Sequence, residues 1–236
     1  MKEFDINSIY LATEGEGVHV GTPQVFIRFQ GCHIGCLNCD SKDTWEFDIK
    51  KITEEDLIAQ IKKESLDYKI KRFSITGGDP LHPKLVPQVE FVINHLKNLF
   101  SDCFINIEAS GSRIVHDLFL KLDFISFDFK TPSTGVKTPV ENVIKMLLSF
   151  SQKCQIKSVV ENRDDMDAVF ESYQIVCREL KLEKLPWCIT PSYNTHEKFP
   201  QKRFQNILEW NYSLGIPFRV IGQQHKWIFG PDLKQV

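Results

Sequence analysis

A chain of 236 residues, 42% hydrophobic and 25% charged, is long enough to bury a substantial core in one generous domain or two small ones. Its net charge of −2 argues against a nucleic-acid platform, which usually carries a basic excess, and Lys-rich pieces such as KIKRF (69–73) read as solvated surface. The opening MKEFDINSIY lacks the apolar stretch of a signal peptide and no apolar run is long enough for a membrane span, so the expected compartment is the reducing cytoplasm.

Strand-like and helix-like segments alternate along the chain. QVFIRFQ (24–30), rich in β-branched and aromatic residues, predicts a strand. A cysteine loop (31–40) follows, and then a helix over 53–66 with Thr53 as N-cap and acids in its first turn. Next come a strand over 72–76, ended by Gly77 and Gly78, and a helix over 82–100 whose start is blurred by Pro83 and Pro87. The pattern continues as strand 104–108, helix 113–121, strand 123–129 and helix 138–150. It closes with strand 155–161, helix 164–180 opened by Asn162 or Asp164, strand 185–190, helix 200–213 and strand 217–221. Gly215 with Pro217 ends the last helix. About six βα units of this length predict a parallel sheet with covering helices, arranged as an incomplete (β/α)6-type barrel in a single domain over 1–236.

Parallel α/β sheets place their sites at the C-terminal ends of the strands, and the notable polar stretches fall there. They are the cysteine loop, TGGDP (76–80), EASGS (108–112), DFKTPSTG (128–135), TPS (190–192) and GQQHK (222–226). Of seven cysteines, Cys103, Cys154, Cys177 and Cys188 lie among apolar neighbours and read as small core residues. The other three, Cys32, Cys36 and Cys39, are spaced C-x3-C-x2-C. In a reducing compartment such cysteines bind metal or react rather than pair. A structural zinc would need a fourth ligand from His33, Asp40 or a distant cysteine, and zinc sites commonly bring two separated pairs. A redox dithiol would leave Cys32 unexplained. A [4Fe–4S] cluster held by three thiolates leaves one iron open for another ligand.

That triplet, in a loop after the first barrel strand, resembles the radical S-adenosylmethionine (SAM) superfamily, in which SAM fills the open place and one electron cleaves its sulfonium to a 5′-deoxyadenosyl radical. Within it, TEGEGVHVGTPQVFIRFQGC (13–32), CDSKDTW (39–45), TGGDP, EASGS, DFKTPSTG and QQHKWIFG (223–230) resemble the 7-carboxy-7-deazaguanine synthase family across nearly the whole chain. The resemblance implies conversion of 6-carboxy-5,6,7,8-tetrahydropterin to 7-carboxy-7-deazaguanine with loss of ammonia, on the route to queuosine and related 7-deazapurines. It also implies a magnesium ion at Ser41, a flavodoxin or ferredoxin as electron donor, and a homodimer.

On the same basis Thr13, Glu14, Gly15, Glu16, Arg28, Thr76, Gln223 and His225 would meet the pterin. Arg28 would offer a fork to its carboxylate, and Glu16 would accept from its amino-pyrimidinone edge. SAM would meet Asn38, Cys39, Asp40, Gly77, Gly78, Asp79, Glu108, Ser110, Asp128 and Lys130, and the segment 217–236 would close the substrate site. Asn38 stands where the superfamily usually has an aromatic residue, and Asp128 where the family has serine. Two alternatives remain: an enzyme that activates a glycyl-radical partner, and a zinc-stabilised binding module without catalysis.

Overall fold

The computed structural model of the chain describes residues 2–47, 51–215 and 218–236. The chain opens with the two-residue strand β1 (Glu3–Phe4) and the eight-residue strand β2 (Ile6–Thr13), then β3 (Pro23–Phe29) and β4 (Ile52–Thr53). The alternating series then runs α1 (Glu54–Leu66), β5 (Arg72–Gly77), α2 (Val86–Leu99), β6 (Phe104–Ala109), α3 (His116–Leu120), β7 (Phe124–Asp128) and α4 (Val140–Phe150). It ends with β8 (Cys154–Val160), α5 (Arg163–Leu180), β9 (Trp187–Pro191), α6 (Gln201–Ser213), β10 (Arg219–Val220) and α7 (Gln224–Phe229). β1 and β4 form a small antiparallel pair, and the remaining strands form one eight-stranded sheet in the order β10-β9-β8-β7-β6-β5-β3-β2.

From β3 to β10 the sheet is parallel, and every crossover steps to the next place in the same direction. Right-handed crossovers that never reverse put all six helices α1–α6 on one face and leave the other face to line a cleft. This is the predicted incomplete (β/α)6 barrel, with β2 and β10 as its edge strands.

One alternation repeated in each strand makes the two faces chemically different. Val25, Ile27, Phe29, Phe73, Ile75, Ile105, Ile107, Ile125, Phe127, Ile156, Val160, Trp187 and Ile189 are buried under the helices. Each such side chain contributes roughly 1.5–3 kcal/mol by leaving water. Their in-between neighbours point the other way and are largely polar: Arg28 pairs in register with Thr76, Ser74 with Asn106, Glu108 with Ser126 and Asp128 with Lys157. The sheet is therefore a core on its outside and a functional surface on its inside. Cys154 and Cys188 are buried and Cys103 and Cys177 half-buried, as expected of packing residues.

Helix starts follow local chemistry. Thr53 accepts the Asp56 N–H at 3.1 Å, and Glu54, Glu55 and Asp56 suit the helix dipole. Asn162, not Asp164, caps α5 by accepting the Asp165 N–H at 3.0 Å. α2 begins at Val86 with Pro87 in its first turn, because residues 82–85 are taken up by turns, one with the Lys84 N–H on His82 Nδ1 at 3.2 Å. α3 is shorter than the predicted 113–121. The stretch before it is a loop in which Asn142 Nδ2 donates to the carbonyls of Gly111 and Ser112, each at 3.1 Å.

Two elements differ in kind from the expectation. β2 runs antiparallel beside β3, with a register irregularity between Ile6 and Ser8. The GQQHK stretch is not a simple loop, since it leads into the six-residue helix α7. The last strand is Arg219–Val220 rather than 217–221, Gly215 has a φ of +62°, and Pro217 lies outside the described residues. No helix among the described residues is long and apolar enough to cross a membrane.

Candidate active site

The strand ends gather around one cleft of about 910 Å³. Its wall includes Thr13, Glu14, Gly15, Glu16, Arg28, Cys32, Cys36, Asn38, Cys39, Asp40, Ser41, Thr76, Gly77 and Gly78. Glu108, Ser110, Asp128, Lys130, Gln223 and His225 complete it, so the fold brings together every sequence-predicted site residue except Asp79. Asp79 is fully buried behind the wall. Its Oδ1 accepts from the Leu81 N–H and the Ser110 hydroxyl, each at 3.2 Å, while Oδ2 faces His33 Nδ1 at 3.5 Å. Its carboxylate ties the end of β5 to the EASGS stretch, while its backbone N–H holds the root of the cysteine loop.

Gly77 and Gly78 are required by a close approach of backbone. A Cβ at Gly77 would stand 2.4 Å from the Phe29 carbonyl oxygen, and one at Gly78 would stand 2.5 Å from that of Gly31. The Gly78 and Asp79 N–H groups hydrogen-bond those same two carbonyls at 3.2 and 2.9 Å. The end of β5 is thereby pressed against the root of the cysteine loop, with both glycines still on the cleft wall.

The three cysteines are free and half-buried. Backbone N–H groups point at two of the sulfurs: Ile34 N–H at Cys32 Sγ and Ser41 N–H at Cys39 Sγ, each at 3.4 Å. Such donors stabilise sulfur that carries negative charge, and this donor set fits thiolates bound to an iron–sulfur cluster. Among the described residues no three His, Cys, Asp or Glu side chains close on a point where one ion would sit. A cube-shaped cluster, whose thiolates ligate different irons, does not ask for that.

Opposite lies Arg28. Its Nη2 donates to the Tyr10 hydroxyl at 2.7 Å and its Nη1 to Ser41 Oγ at 3.1 Å, while Nε is buried with no partner. Two arms are held and one edge is left for an acceptor, as a carboxylate site requires. Ser41 in turn donates to Asp40 Oδ1 at 3.0 Å, and Asp40 Oδ2 meets the buried Lys226 at 3.1 Å. Against the pull of burial, Lys226, Ser41 and Arg28 hold the Asp40 carboxyl well below the usual carboxylate range. Ser41 and Asp40 are hard oxygens of the kind magnesium takes, but both are already satisfied by side-chain cations.

The GEG loop is held by its own hydrogen bonds. The Glu14 N–H and carbonyl close a turn onto Thr22 and Gly21, each at 2.8 Å, and the Gly15 carbonyl takes the Gln224 N–H at 2.9 Å. These backbone groups therefore fix the loop. A Cβ at Gly15 would fall 1.9 Å from His225 Nδ1, so the glycine admits the histidine ring to the wall. Glu16 Oε1 accepts from Gln223 Nε2 at 2.7 Å, and the other end of that amide takes the Tyr193 N–H at 3.2 Å. Gln223 thus orients Glu16. Burial opposes ionisation of Glu16, but Lys157, His225 and Gln223 outweigh it and bring its pKa down to about 2. At the rim, Pro231–Val236 line the cleft, with Asp232 3.0 Å from His196 and Lys234 paired to Asp43.

Glu14 behaves oppositely: burial, reinforced by Glu108, raises its pKa from 4.5 to about 7. A raised carboxyl pKa gives stability that is fully present below the unfolded value and lost as pH rises through the folded one. Glu14→Gln is therefore expected to melt higher than the parent at about pH 8 and to show no such gain near pH 4. Thermal melts across that range check it, and identical pH profiles for the two proteins would contradict it.

Lys157, Lys226 and Tyr10 belong to the site but escaped the sequence reading. The available signal for Lys157 was a lysine inside the otherwise strand-like CQIKSVV.

A family model described as a 4Fe-4S single cluster domain matches residues 13–116. The 7-carboxy-7-deazaguanine synthase of Aquifex aeolicus is 34% identical over 113 residues, 48% of each chain. That of Pyrobaculum aerophilum is 31% identical over 163 residues, 68% of each chain. The matched stretches thus span about half to two thirds of these relatives. A crystal structure of QueE from Escherichia coli superposes with a TM-score of 0.64, covering 94% of this chain and 95% of that one at 22% identity, a likeness in fold. A cysteine triplet in the first loop of a parallel sheet wound in one direction, together with the single-cluster match, defines a radical SAM iron–sulfur protein. Within that class the extent and identity of the Pyrobaculum match decide the matter, and the chain belongs to the 7-carboxy-7-deazaguanine synthase family.

Proposed function

We propose that the chain converts 6-carboxy-5,6,7,8-tetrahydropterin to 7-carboxy-7-deazaguanine with loss of ammonia, as a radical SAM lyase of 7-deazapurine synthesis. The observation that carries this reading is Arg28: a half-buried guanidinium whose buried Nε has no partner, on the same cleft as the cysteine triplet. A small carboxylated heterocycle matches that edge, and Glu16, held ionised by Lys157 and Gln223, accepts from its amino groups. When bound, the cluster and SAM supply the carbon radical that starts the chemistry. The residues of this chain orient the pterin, through Arg28 and Glu16, and hold SAM along Gly78, Glu108, Asp128 and Lys130.

Magnesium at Ser41 fits this scheme if the ion takes the second lone pair of the Ser41 hydroxyl beside Asp40, with the Nε edge of Arg28 left for the substrate carboxylate. A flavodoxin or ferredoxin would deliver the electron, the enzyme would work as a cytoplasmic homodimer, and 1–236 would act as one domain with its C-terminal segment over the substrate.

The test is anaerobic. The cluster is reconstituted, dithionite, SAM, magnesium and the carboxytetrahydropterin are added, and both products are followed by mass spectrometry. Formation of 7-carboxy-7-deazaguanine is the expected result. Cleavage of SAM without a deazapurine would overturn the substrate assignment and keep the class.

A further inference from the structure

Lys157 lies on the inner face of β8, its side chain 11% exposed. Its Nζ is 2.9 Å from Glu108 Oε2, 3.1 Å from Glu16 Oε2 and 3.8 Å from Asp128 Oδ1. An ammonium has three donors and no acceptor, and here it faces three carboxylates from three separate parts of the chain. Each carboxylate gives Lys157 one oxygen and has the other fixed elsewhere. Glu16 Oε1 is held by Gln223 at 2.7 Å, Glu108 Oε1 by Asn106 at 2.9 Å, and Asp128 Oδ2 by Lys130 at 2.7 Å. The three side chains are thereby locked in position and charge, and Lys157 is the one group common to all of them.

We propose that Lys157 is a positioning residue that sets the pterin and SAM subsites together, holding Glu16 on one side and Glu108 and Asp128 on the other. The proposal rests on the functional reading above for which ligand sits on which side. It follows from the low-dielectric setting: three carboxylates this close, without a central cation, repel one another, and at least one must turn away or take up a proton. Burial opposes the charge on Lys157, but Glu108, Glu16 and Asp128 outweigh it and hold the ammonium well above the ordinary lysine range. The residue therefore keeps its proton and acts by position, not as an acid. Disturbing it at one carboxylate is felt at the others, so one substitution affects two ligands that it need not touch.

The experiment compares reconstituted wild type, K157M and K157R. Expected for K157M are unchanged iron and sulfide content, an increase of at least about tenfold in KM for both SAM and the pterin, and 5′-deoxyadenosine released in excess over deazapurine. K157R, which restores the charge but not the geometry, is expected to fall between the two for both ligands. A K157M protein that keeps its iron and shows wild-type KM for either ligand overturns the proposal. If K157M loses its fold, K157R decides, and wild-type KM values there overturn it equally. SAM affinity of the holoproteins by equilibrium dialysis, expected to weaken at least about tenfold in K157M, needs no turnover. A wild type that fails to convert the pterin therefore sinks the functional reading, while the dialysis still judges Lys157.

Discussion

Replacing Cys36 with alanine is expected to abolish SAM cleavage and leave the fold in place. The triplet supplies one thiolate per iron to three irons of a cube, and a cluster left with two protein ligands is not retained. Little else depends on the side chain. Cys32, Cys36 and Cys39 are half-buried on the cleft wall and take no part in the hydrophobic core. The loop is instead tied down by backbone: Gly31 and Cys32 N–H groups to the Thr44 and Trp45 carbonyls at 2.7 and 2.9 Å, and Leu37 N–H to the Thr134 carbonyl at 2.9 Å. Metal-free C36A should thus melt with the metal-free parent, while its iron and sulfide content and its 5′-deoxyadenosine production fall to background. Cys154→Ala is the control of opposite sign. That thiol is buried in the core, where burial pushes its pKa up to about 12. Its loss should cost about 1 kcal/mol of packing and no iron. A C36A protein that still bound a full cluster and cleaved SAM would move the cluster away from the triplet.

How far the sequence reveals this molecule depends on how local each signal is. β5, β6 and β7 were legible because each alternates between a helix-covered apolar face and a polar one, and β3 and β8 because they are rich in β-branched or aromatic residues. β2 was not, since Ser8, Ile9, Tyr10, Leu11 and Ala12 are all half-buried at an edge and its register is irregular near Ile6. α7 was missed for a different reason: six residues are too few for a helical period to show. Among site residues, those in compact motifs were found. Those that act through partners far along the chain were not, as Lys157 meets Glu108 at a separation of 49 residues and Arg28 finds Tyr10 only across the antiparallel pair. Some motif residues also make structural contacts that the motifs themselves do not announce. Gly77 and Gly78 admit a neighbouring backbone, Asp79 braces from behind the wall, and Gln223 serves Glu16.

Arg28→Ala is expected to lower kcat/KM for the carboxylated pterin by about 10²–10³-fold, since truncating one partner of a desolvated, hydrogen-bonded ion pair costs roughly 2–5 kcal/mol. The guanidinium is well prepared for that pair. It stacks near the Tyr10 ring at 5.6 Å, Tyr10 stacks on Phe26 at 5.4 Å, and the hydrogen bonds to Tyr10 and Ser41 fix the plane of the fork. Little rotamer entropy is then lost when a carboxylate meets the buried Nε and its neighbouring N–H. Arg28→Lys keeps the charge but loses the fork, so it should recover only a small part of the deficit. The deficit should also depend on the ligand. A tetrahydropterin lacking the 6-carboxylate has nothing for Arg28 to hold, so its binding should be nearly the same in wild type and R28A, while binding of the carboxylated pterin differs sharply. Affinities of both pterins for both holoproteins decide the matter. Equal losses for the two ligands would mean that Arg28 supports the wall through Ser41 and Tyr10, and that the carboxylate is held elsewhere in the cleft.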